Sequence, residues 1–174
     1  GRVVIAGGGA GTVLAPQGTA SCDLFDPLTR SMVAGPPLGQ QRAFHTATPL
    51  QDGRVLVCGG VNSPSGAVTT SCEVFVPGDG LTTPDSWVPV ASMSTPRAAH
   101  NATLLADGRV LVCGGTTTFD TSSCASMSVG CVLNAALATG EVYDPVADSW
   151  TGVGNTMQSP RIMGAATRLN DGRV

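Results

Sequence analysis

The chain has 174 residues, 42% of them hydrophobic and 12% charged, with a formal net charge of −3. This is enough apolar material for a packed core in one domain, and the acid excess excludes the basic stripe that nucleic-acid binding requires. No apolar run approaches the roughly 18 residues that cross a bilayer, and 23 glycines with 12 prolines leave little room for long helices.

The first predicted strand is Val3-Val4-Ile5-Ala6, which runs into the pair Gly7-Gly8. A second strand, Cys22-Asp23-Leu24-Phe25-Asp26, is ended by Pro27, which has no N–H to continue a ladder. Ser31-Met32-Val33 forms a third. A fourth opens on Arg42-Ala43-Phe44-His45 and continues through a leucine into Asp52-Gly53. An Asp-Gly pair between two apolar runs signals a hairpin, because glycine accepts positive φ.

The series then starts again. Val55-Leu56-Val57-Cys58 leads to Gly59-Gly60, followed by Cys72-Glu73-Val74-Phe75-Val76-Pro77, Ser86-Trp87-Val88 and Arg97-Ala98-Ala99-His100. The third round is Val110-Leu111-Val112-Cys113-Gly114-Gly115, Gly140-Glu141-Val142-Tyr143-Asp144-Pro145, Ser149-Trp150-Thr151 and Arg161-Ile162-Met163-Gly164. The Gly-Arg-Val element recurs at Gly1, Gly53, Gly108 and Gly172.

A glycine pair, an aromatic before a turn and a tryptophan several residues later resemble the kelch repeat, and a period near 50 residues agrees. The resemblance covers essentially the whole chain. It implies an all-β fold: about three four-stranded antiparallel blades of a six- or seven-bladed propeller. A lone sheet of this kind cannot cover both its faces, whereas stacked sheets can. Residues 1–38 are expected to form a first blade without its inner strand, 41–93 and 96–157 two full blades, and 160–174 the inner strand of the next. These limits are expected of a segment of a longer chain. The competing arrangement is a closed pair of chains, each completing the other's first blade.

Six cysteines among few charges point to an exported protein with disulfides. Cys58 and Cys113 share one repeat position, Cys22 and Cys72 another. One scheme joins successive units, Cys22 to Cys58 and Cys72 to Cys113, with Cys124 to Cys131 closing a small loop. The rival scheme joins Cys58 to Cys72 across one hairpin. Sequence does not fix connectivity.

His45 and His100 also repeat, without an acid or cysteine at ligand spacing, so a structural hydrogen bond is expected of them rather than a metal site. Arg42, Arg97 and Arg161 are expected to tie strand entry to a neighbouring turn, with an anion-attracting channel mouth as the alternative. No Gly-x-Ser-x-Gly nucleophile elbow occurs. Galactose oxidase uses a kelch-like propeller around a copper site with tyrosine ligands, but this chain has one tyrosine, Tyr143, at the repeat's aromatic position. No catalytic residue, metal or cofactor is therefore assigned. Asn101-Ala102-Thr103 matches a glycosylation sequon but falls in a predicted inner strand and reads as chance.

The feature least explained by the repeat is the Thr/Ser-rich insertion from Thr116 to Thr139, with Phe119, Asp120 and Met127 as candidate binding residues. All nine basic residues are arginine, a skew that fits a GC-rich bacterial source. The expected function is a non-catalytic module, extracellular or at the cell surface. It binds a protein or glycan, or copies of itself in an assembly. The alternative is the propeller part of a secreted carbohydrate-active or copper oxidase whose catalytic residues lie elsewhere.

Overall fold

The computed structural model describes residues 1–12, 15–62, 65–119 and 136–174. Among these the fold is all-β, with three antiparallel sheets laid out as successive blades. The first holds β1 (Val3–Ala6), β4 (Cys22–Asp26) and β5 (Ser31–Ala34) in the order β1-β4-β5. Between β1 and β4 a small hairpin projects, formed by β2 (Gly9–Thr12) and β3 (Ala15–Gly18).

The second blade runs β7 (Thr46–Pro49), β8 (Val55–Cys58), β10 (Cys72–Val76), β11 (Ser86–Val90) from inside out. The short strands β6 (Arg42–Ala43) and β9 (Val61–Asn62) pair beside it. The third blade runs β12 (Asn101–Leu104), β13 (Val110–Cys113), β14 (Gly140–Asp144), β15 (Ser149–Gly152). Among the described residues the first blade has these three strands. Residues 160–174 make the predicted Asp-Gly turn, with Leu169 N–H bonded to Arg173 O at 2.6 Å, and form no strand ladder among the described residues.

The register follows the repeat. Phe25, Phe75 and Tyr143 lie opposite Met32, Trp87 and Trp150 on the neighbouring outer strand. Phe75 meets Trp87 edge-on at 5.3 Å, and Tyr143 meets Trp150 at 5.0 Å. Each tryptophan also reaches back to the preceding linker: Trp87 Nε1–H donates to Pro36 O and Trp150 Nε1–H to Ala91 O. The main core lies between the second and third blades, where Leu50, Leu56, Val74 and Met93 pack against Val110, Val112 and Tyr143.

Arg42 and Arg97 are the largest fully buried side chains. Arg42 donates to Gly59 O, Ser71 O, Ser71 Oγ and Glu73 Oε1. Arg97 repeats this on Gly114 O, Thr139 O, Thr139 Oγ1 and Glu141 Oε1. The expected tie to a neighbouring turn is present, and full burial rules out a channel-mouth role for these two. Their partners are the only two glutamates of the chain. Each glutamate also holds the preceding linker, Glu73 through Gly39 N–H and Glu141 through Ser94 N–H, Ser94 Oγ–H and Thr95 N–H. Burial pushes the Glu141 carboxyl up, but the Ser94 donors and Arg97 outweigh it and hold the group below the usual carboxylate range.

Removing one partner of a buried ion pair leaves a bare charge, at a cost of about 3–5 kcal/mol, whereas exposed pairs contribute under about 1 kcal/mol. Arg97→Met is therefore expected to lower unfolding free energy by several kcal/mol in urea titrations. Arg54→Met, which breaks only the exposed pair with Asp52, is expected to change it by less than about 1 kcal/mol.

Candidate functional site

The glycine pairs explain how blades meet. Gly59 and Gly60 have φ of +64° and +98°, and a Cβ on Gly59 would collide with Arg97 O. The space is used by a hydrogen bond: Gly60 N–H donates to Arg97 O at 2.8 Å, as Gly8 donates to Arg42 O and Gly115 to Arg161 O. Arg42 and Arg97 thus each anchor their own blade by the side chain and the previous blade by the carbonyl.

The chain leaves each glycine pair into a loop at the same end of the molecule. These loops are the β2–β3 hairpin, the segment around Val61 to Val68, and the insertion that departs at Thr116 and returns at Ala136. They are rooted on the inner-strand entries. Thr19 bridges Arg42, Val61 pairs with Ala43, and Thr116 bridges both Ala98 and Ala136. Loops on a rigid, laced scaffold are where binding residues concentrate.

The inner strand, read from sequence as continuous from the arginine onward, is broken at this end. Phe44, Ala99 and Met163 hold one repeat position and all have positive φ, at 57°, 54° and 51°. Non-glycine residues pay roughly 1–3 kcal/mol for such a conformation, and strain of this kind gathers at functional sites. The kink aligns backbone groups from blade to blade: Ala99 N–H donates to Phe44 O at 2.8 Å and Met163 N–H to Ala99 O at 2.9 Å. Phe119, the one candidate insertion residue within the described segments, reaches across to the adjacent blade and stacks on Phe44 with ring centroids 4.8 Å apart. Both rings are half-buried. Asp120, Met127, Cys124 and Cys131 lie outside the described residues.

The histidines take the expected structural role. His45 Nε2–H donates to Ala6 O of the first blade at 2.9 Å, and His100 Nε2 lies 2.9 Å from Thr46 Oγ1 of the second. Their Nδ1 atoms are buried without partners. Burial and the nearby arginines push both groups down, His100 to about 4. Among the described residues no group of three or more His, Cys, Asp or Glu side chains could hold a metal ion. Tyr143 is buried and donates its hydroxyl to Asp148 of its own blade at 2.9 Å.

The strand register weighs against the inter-unit disulfide scheme. Cys22, Cys58, Cys72 and Cys113 are free thiols in the structure. The two repeat positions are not neighbours across blades; they are cross-strand partners inside each blade. Ala6 faces Cys22, Cys58 faces Cys72 and Cys113 faces Gly140. Only the second blade carries both cysteines, so the offset that suggested inter-blade bridges arises from single substitutions in the outer two.

A cavity of about 460 Å³ lies on the outer face of the third blade, lined in part by Leu111, Cys113, Gly140 and Met157. Those residues hold the positions of Leu56, Cys58, Cys72 and Met93, which form the buried core between the second and third blades. The cavity is therefore an uncovered blade face. The exposed Asp23 and the exposed Arg161 belong to the two open faces in the same way.

No family model matches the chain. It is 29% identical over 164 residues to the kelch repeat-containing protein kel-10 of Caenorhabditis elegans, covering 92% of this chain and 24% of that protein. It superimposes with a TM-score of 0.55, at 17% identity, on a fungal alcohol oxidase of the AA5 family solved in complex with copper, over 99% of this chain and 45% of that one. The repeat is kelch-type and the chain folds as a run of propeller blades. This kelch-type chain spans about a quarter of one relative and under half of the other.

Phe44 and the two glutamates are the residues that sequence reading missed. The glutamates left a signal: the only two in the chain sit at one repeat position, opposite a repeated arginine. Phe44 left none, since its equivalents are alanine and methionine and share only a backbone angle.

His100 gives a pH prediction. Its folded value of about 4 lies below its ordinary 6.5, so the unfolded chain binds the proton first. Stability is expected to fall as pH drops from about 6.5 towards 4, by about 3 kcal/mol in total from this group. His100→Gln is expected to flatten that part of the urea-unfolding profile.

Proposed function

We propose that the kelch-type blades form a non-catalytic module of an exported protein, extracellular or at the cell surface. Their loop-bearing end takes a protein or glycan ligand, or scaffolds an assembly. The observation that supports this most is the stacking of Phe119 on Phe44. An insertion from one blade places an aromatic ring over a strained inner-strand position of the preceding blade, and leaves both rings partly open. A half-exposed aromatic pair offers a flat apolar platform to sugar faces or to apolar side chains. The scarcity of charge and the six cysteines support export.

The test is binding to arrays of immobilised glycans and of extracellular proteins. The chain is expected to retain at least one ligand, and Phe119→Ala and Phe44→Ala are each expected to weaken it by about tenfold or more, the loss of one buried aromatic contact. Unchanged affinity in both variants removes the aromatic pair as the site. Stoichiometric copper retention with oxygen consumption on an alcohol would instead favour the oxidase reading, which the AA5 likeness in fold alone leaves as the second choice.

A further inference from the structure

Cys58 and Cys72 face each other on β8 and β10. Both are almost fully buried in the main core, at 1% and 2% exposure. The Gly59 N–H donates to Ser71 O across the same two strands at 3.0 Å. That makes Gly59 and Ser71 a hydrogen-bonded pair, so the next pair along, Cys58 and Cys72, is of the non-hydrogen-bonded kind. Residues in such a pair have Cα atoms about 4.5 Å apart and side chains on one face, inside the roughly 4.4–6.8 Å window that a disulfide spans. The first blade shows the same alternation: Gly7 N–H donates to Ser21 O, and Cys22 directs its carbonyl to Gly35 on the other side. Alanine faces cysteine there, and cysteine faces glycine in the third blade, so neither can close.

We infer that Cys58 and Cys72 are a covalent cross-linking site, which closes to a cross-strand disulfide within the second blade when the chain folds in an oxidising compartment. The oxidant is a disulfide such as oxidised glutathione. The thiolate of one cysteine attacks a sulfur of that disulfide, forms a mixed disulfide and releases one glutathione thiolate. The second cysteine then attacks the protein-bound sulfur and releases the other glutathione. Two thiols lose two protons and two electrons, and one glutathione disulfide becomes two thiols. Burial and the adjoining Cys72 thiol push the Cys58 thiol well above its ordinary value. The folded, reduced pair is thereby protected, so the exchange belongs to folding, before the third blade covers the pair.

The spacing of arginines makes the test clean. The chain has no lysine, and cleavage after arginine yields one peptide, 55–97, that holds Cys58 and Cys72 and no other cysteine. Cys22 falls in peptide 3–30, and Cys113 in 110–161. The full chain is unfolded in urea with reductant, refolded by dilution into a glutathione redox buffer, alkylated and digested without reduction. The expected product is peptide 55–97 unalkylated and two hydrogens lighter than its reduced form. The oxidised protein is expected to melt on the order of 5 °C or more above the reduced one. Cys58→Ala should abolish that difference, whereas Cys22→Ala should keep it. Peptide 55–97 carrying two alkyl groups after refolding would overturn the inference, and so would its recovery linked to 3–30 or 110–161.

Discussion

Everything in this fold turns on an arginine taken out of water. A guanidinium with no exposure is tolerated only when most of its donors are met, and here the carboxylate is one partner among several, with only Nε of Arg42 left without one among the described residues. Arg42 and Arg97 each reach a glycine carbonyl, the backbone and hydroxyl of a serine or threonine, and a glutamate. The set comes from the end of the second strand and the start of the third strand of one blade. Satisfying the arginine therefore assembles the blade's centre, and the same residue's carbonyl, held by the previous blade's glycine N–H, fixes the next interface. In a repeat fold each unit touches only its neighbours, so a residue that acts both within and between units couples them.

That anchoring also explains where strain sits. With the arginine held below and β7 or β12 held in the sheet, the two residues between must redirect the chain in very little space. Phe44, Ala99 and Met163 absorb the turn with positive φ. The cost is borne by a buried network that over-determines the local path. What it yields is a rigid rim of kinked backbone at the end where all three loops emerge. Loop sequence can then vary, as the long third insertion does, without disturbing the blades beneath.

The sequence carried the fold in its punctuation. The Asp-Gly turns, the prolines after the third strand and the glycine pairs each have a local chemical cause and could be placed from residue type alone. The arginine's tie to a turn was legible for the same reason, since a repeated cation on an apolar strand must find acceptors. What could not be read was register. The sequence left two cysteine schemes open, one of them joining Cys58 to Cys72 across a hairpin, and the 14-position step between those two does not decide between the schemes. Only the strand pairing shows that the two cysteines are opposite, and the same information assigns Cys22 to Ala6. The Phe44–Phe119 stack was hidden for a related reason, because it joins two blades through a loop whose path depends on tertiary packing.

The outer faces show what the neighbour supplies. Ile5, Val57 and Val112 hold one repeat position, yet Ile5 is 47% exposed while the other two are fully buried. Arg42 and Arg97 are enclosed, whereas Arg161 is exposed, its side chain bonded among the described residues to Ser159 O at 3.4 Å. Asp23, at the position of Glu73 and Glu141, likewise stands exposed. These residues do not differ in strand geometry, since β1, β8 and β13 pair with their neighbours in one register. They differ in whether an adjacent blade covers them. Burying one such aliphatic side chain is worth about 1.5–3 kcal/mol, so the stability of each blade resides largely in its interfaces. The main buried core and the tryptophan bonds fall at those interfaces, whereas the Arg42–Glu73 and Arg97–Glu141 pairs hold each blade together from within.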